Sequence, residues 1–134
     1  MINKLFFSIL FFMVVFVIPP VHSQDDDVGN EIVKHISGGN SQELSKFFNV
    51  SIQLTLPGND GRFSKSQAEL IIRNFFLKYP PKSFTISHKG SSSDGSRYFI
   101  GVYKSSNNTF RSYYLMKLVT DAELIHQLRF ENDD

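Results

Sequence analysis

The chain has 134 residues, 14 basic and 13 acidic, and no cysteine, which suits one domain that forms no disulfide. Balanced charge and the lack of any Lys/Arg cluster argue against nucleic acid and against an anionic membrane surface as partners. Without cysteine there is also no site for a lipobox-type acyl anchor.

Lys4 precedes an apolar run from Leu5 to Ile18, followed by Pro19-Pro20 and the end Val21-x-Ser23. This is the pattern of a secretory signal peptide cut after Ser23. A membrane anchor is the rival reading, but the run has 14 residues, and a spanning helix needs roughly 20. The sequence therefore predicts an exported protein of the periplasm or extracellular space, with residues 24–134 as a single α+β domain. Removing residues 1–23 takes away Lys4 alone, which leaves 13 basic and 13 acidic residues and nine of the 14 phenylalanines. Those aromatics are enough for an aromatic-rich core.

Asp25-Asp26-Asp27 suits a solvated tail or the first turn of a helix. Val28, Ile32, Val33 and Ile36 form a short apolar stripe that Gly38-Gly39 stops. Asn40 or Ser41 then caps a second short helix, Gln42 to Phe48. Val50, Ile52, Leu54 and Leu56 alternate with Ser51, Gln53 and Thr55, the period of a half-buried strand. The turn cluster Pro57 to Gly61 leads through a brief strand at Arg62-Phe63.

The strongest element is SKSQAELIIRNFFLKY, Ser64 to Tyr79. Ala68, Ile71, Ile72, Phe75, Phe76 and Tyr79 share one face at helical spacing. Ser64 with Gln67, or Ser66 with Glu69, supplies a capping box, and Pro80-Pro81 ends the helix. Four strand-like runs follow, around Phe84–Lys89, Tyr98–Tyr103, Phe110–Val119 and Glu123–Glu131, separated by short polar turns. Helices gathered at the front and a meander behind them define an α+β two-layer domain.

The segments FSKSQAELIIRNFF, SFTISHKGSSSDGSRYFIG, FRSYYLMKL and LIHQLRFE, in that order between Gly61 and Glu131, resemble the exported domain-of-unknown-function family 4783 of Bacteroidota. The resemblance implies a nuclear transport factor 2-like (cystatin-like) fold. In that fold two short helices and one long helix pack on a curved antiparallel sheet of about four to six strands, shaped as a cone. It implies no activity, because that fold hosts isomerases, dehydratases and binding modules alike.

Isomerase chemistry in such a cone needs a carboxylate base and an oxyanion hole. Asp60, Asp94 and Asp121 fall in turns, Glu69 on a polar helix face, and Glu123 and Glu131 at strand ends, so no acid is expected inside. His88 and His126 lie in phase with apolar neighbours and, with Tyr98 and Tyr114, are the candidate ligand-binding residues. Their plainer reading is that of strand histidines bonded locally. A third metal ligand is missing beside them, and no metal or other cofactor is expected. Arg111, Tyr113 and Lys117 share one face of the long strand, with Arg129 opposite, and suit either an anionic ligand or a solvated outer face. Phe99, Tyr103 and Tyr113, expected on the outer face, are candidates for a homodimer interface. No serine sits in a Gly-x-Ser-x-Gly context. Gln53 to Pro57 lacks the glycine of the cystatin inhibitor loop. The expected role is a non-enzymatic module of the cell envelope that binds a small ligand or a protein. The alternatives are a small His/Tyr enzyme and a homodimeric interaction domain.

Overall fold

The computed structural model describes residues 24–133, with side chains from Asp27 onward, so the expected signal segment lies outside the described residues. The elements are α1 (Gln24–Ser37), α2 (Ser41–Ser45), β1 (Phe48–Leu56), β2 (Asn59–Ser64), α3 (Lys65–Lys78), β3 (Ser83–Ser91), β4 (Arg97–Lys104), β5 (Thr109–Val119) and β6 (Ala122–Asn132). None of the described helices is long and apolar enough to cross a membrane.

α1 has 14 residues, as many as α3, so only α2 is short. Ile32 and Ile36 are fully buried along its stripe. Gly39 then adopts φ +63°, a left-handed conformation that side chains resist, and ends the helix. α2 is a single turn in which Asn40 Oδ1 accepts from Glu43 N at 3.1 Å. It stops before Phe47, whose carbonyl accepts from Ile125 N at 2.7 Å. Phe48 therefore opens β1 instead of closing the helix.

α3 forms as its caps and period require. Ser64 Oγ accepts from Gln67 N, and Gln67 Oε1 accepts from Ser64 N, both at 3.3 Å. Arg73 Nη2 donates to Glu69 Oε1 at 2.7 Å one turn away. Ala68, Ile72, Phe75 and Phe76 are buried, and Phe75 stacks on Phe130 with ring centroids 4.8 Å apart. Each large side chain on that face contributes about 1.5–3 kcal/mol on burial. The Tyr103 hydroxyl donates to the Tyr79 carbonyl, which ties the end of α3 to β4.

The six strands lie in the order β2-β1-β6-β5-β4-β3. Every pair is antiparallel except β1 with β6, so the curved, unclosed sheet is mixed instead of wholly antiparallel. The last strand is inserted between the first and the meander. The helices cover the concave face, where one cross-strand row runs Leu54, Leu128, Tyr114, Phe99, Lys89. On the opposite, convex face the neighbouring row is Thr55, Arg129, Tyr113, Ile100, His88.

Candidate functional site

Two β-bulges decide which polar residues reach the concave side. In β3, Ile86 pairs with Gly101 but His88 pairs with Ile100, so Ser87 is the extra residue. Its hydroxyl donates to the Ile100 carbonyl at 3.2 Å. Beyond it the alternation is inverted: His88 turns to the convex face, and Lys89 pairs with Phe99 on the concave one. In β6, Leu115 pairs with Gln127 but Met116 with Ile125, so His126 is the extra residue. That shift buries Ile125 and brings Glu123 onto the concave side.

Between α1 and the β3–β5 half of the sheet lies a cavity of about 400 Å³. Gly29, Asn30 and Val33 form the helical wall, Ile86 to Lys89 the rim, and Arg97, Phe99 and Tyr114 the floor. A Cβ at Gly29 would lie 3.8 Å from Phe99 Cε1, ordinary van der Waals contact, so the helix wall passes close to the edge of that ring. The Phe99 and Tyr114 rings stack with centroids 4.6 Å apart. Arg97 lies over Phe99 at 5.2 Å, and its Nε donates to Glu123 Oε1 at 3.1 Å. The Tyr114 hydroxyl is buried with no hydrogen-bond partner among the described residues, as is Ser112 Oγ two residues away on the same strand face. Burial pushes the Tyr114 phenol well above its usual pKa, so it stays a hydrogen-bond donor. A larger depression of about 820 Å³ between α2 and α3 is more open and lined by Gln42, Lys65, Glu69, Leu70 and Arg73 among others.

The four candidate ligand residues do not converge. Tyr114 and His88 line the cavity, but the His88 ring meets Tyr98, which does not, with Nε2 3.5 Å from the hydroxyl. His126 is not in the lining either: burial lowers its pKa first, and Lys117 and Arg62 lower it further. Its Nε2 is buried without a partner among the described residues. The expected outer-face set also divides. Phe99 and Tyr103 are 5% and 0% exposed and belong to the core, because aromatic packing fixes the phase of β4. Tyr103 stacks against Phe76 at 6.1 Å and meets Phe75 at 5.4 Å. Tyr113 does lie on the convex face, where Arg129 covers its ring at 5.6 Å.

Arg111, Tyr113, Lys117 and Arg129 share the convex face as their spacing predicts. With its amide oxygen turned toward Arg129, Gln127 accepts from Nε at 3.0 Å and Nη2 at 2.7 Å. Glu123 is the residue sequence reasoning missed, since a strand-end acid gives no sign of a bulge downstream. It faces inward, yet it is committed to Arg97, so it is not a free carboxylate base. Among the described residues no cluster of three His, Asp or Glu side chains could hold a metal ion.

Residues 29–131 match the family model of a domain of unknown function, DUF4783. Among solved structures, a DUF4783 family protein from Bacteroides uniformis is similar at 29% identity and a TM-score of 0.75, covering 80% of this chain and 98% of its own. A second, from Bacteroides ovatus, is 29% identical with a TM-score of 0.73, over 78% of this chain and 94% of its own. An NTF2-like protein of unknown function from Cytophaga hutchinsonii shares the fold at 13% identity and a TM-score of 0.58, over 85% and 94% of the two chains. A comparison with curated proteins gives no match.

Proposed function

We propose a binding role for this chain, which belongs to the DUF4783 family and has an NTF2-like fold: it holds a small molecule in the cavity under α1. The observation that carries this reading is the cavity itself, about 400 Å³ and walled by Gly29, Val33, Ile86, Phe99 and Tyr114, a size and lining that suit a small ligand. Catalysis is not part of the proposal, because the inward carboxylate is occupied by Arg97 and the His88 ring turns to Tyr98 on the convex side. The domain acts outside the cytoplasm, as the signal-like start of the sequence suggests, and cell fractionation with an antibody to residues 24–134 tests that part.

The binding reading is tested by a thermal-shift screen of metabolites on the wild-type domain and on Gly29→Leu. The leucine side chain fills the helical wall of the cavity. A hit that stabilises the wild type and not the variant supports the reading. Hits that stabilise both alike place binding elsewhere and refute it.

A second reading, a homodimer or partner interface on the convex face, is favoured by the half-buried row Tyr98, Ile100, Val102, Tyr113, Leu115 and Leu124, on which none of the described helices packs. Sedimentation of the domain at high concentration tests it, and a monomer there removes the homodimer.

A further inference from the structure

We infer that the ligand of this cavity is an organic anion with an apolar body, held by Lys89 at the mouth and buried against Val33, Ile86 and Phe99. The inference rests on the cavity reading above and adds the ligand's charge. Lys89 enters the concave row only because of the bulge at Ser87, and it has no ion-pair partner among the described residues. No Asp or Glu lines the cavity among the described residues, and the nearby acid, Glu123, is bound to Arg97. The lining is therefore cationic at its rim and carries no compensating acid of its own. A lone cation beside an apolar pocket attracts an anion that offers both a charge and a surface to bury.

The rest of the wall fits the body of such a molecule. Val33, Ile86 and Phe99 give it apolar surface to bury. Together with Lys89 they select a carboxylate, sulfonate or phosphate with an apolar body over a neutral lipid or a sugar.

Two fluorescent probes with nearly the same apolar body separate the possibilities: the anion 1-anilinonaphthalene-8-sulfonate and the neutral N-phenyl-1-naphthylamine. The wild-type domain is expected to bind the anion about tenfold more tightly, the worth of one charge-assisted contact. Lys89→Gln, an exposed position, is expected to abolish that preference, and Lys89→Arg to keep it. Gly29→Leu is expected to lose both probes. Equal affinity for the two probes, or a preference that survives Lys89→Gln, overturns the anion assignment while leaving the cavity reading standing. Absence of any binding, or binding that Gly29→Leu leaves intact, overturns both.

Discussion

Arg97 and Glu123 meet across β5, from strands that do not pair with each other. Their side chains are only 17% and 12% exposed, and two guanidinium N–H groups reach the two carboxylate oxygens. The pair sets the electrostatics of the cavity floor, because each group answers a charge that would otherwise stand nearly buried.

Replacing one partner should therefore be worse than replacing both. Glu123→Leu is expected to lower stability by about 1–3 kcal/mol, and adding Arg97→Met to it to recover much of that loss. Denaturant midpoints for the two singles and the double form the cycle that checks it. Additive losses would mean that the pair is not coupled.

Two buried tyrosines make opposite predictions. Tyr103 donates to the Tyr79 carbonyl at the end of α3, so Tyr103→Phe is expected to cost about 1–2 kcal/mol. Tyr114 has no acceptor among the described residues, so Tyr114→Phe is expected to be neutral or slightly stabilising. Thermal melts of both variants, side by side, read the difference.

The capping box at the start of α3 is exposed and local. Ser64→Ala removes the acceptor for Gln67 N and is expected to cost about 1 kcal/mol. Ser64→Asp keeps an acceptor and should retain most of the stability, as urea denaturation would show.

His126 carries a pH dependence whose sign follows from its lowered pKa. The folded state holds the imidazole below its reference value of 6.5, so the unfolded chain takes up the proton first. Its contribution is present above that value and is lost as pH falls through the folded pKa. Stability measured from pH 7 down to pH 5 should drop more steeply in the wild type than in His126→Gln. Parallel curves would rule out the histidine as the source.

α3 was legible in the sequence because several independent signals agree there: a serine cap, a six-residue apolar face and a double proline stop. The strands were legible in number and approximate place. Their phase was not. β4 is apolar on both faces, so alternation could not choose between Phe99 with Tyr103 and Tyr98 with Ile100, and packing against Phe75 and Tyr114 made the choice. The bulges at Ser87 and His126 leave no mark in a period-two reading, yet they invert His88, Lys89 and Glu123. The candidate site was therefore only partly readable, through Tyr114. Its cation and its inward acid came from backbone irregularities.

The parallel contact between β1 and β6 also governs the order in which this sheet can come together. Among the described strands, β6 alone hydrogen-bonds to both the β1–β2 hairpin and the β3–β4–β5 meander. During synthesis both pieces wait with open edges until the final strand emerges. Their union then requires closing a loop that spans most of the domain, which slows folding relative to local pairings. A cut within β6 would separate the sheet into two fragments instead of trimming its edge. Quality control acting on this protein would thus see either a finished domain or two exposed half-sheets, with no stable partial form between them.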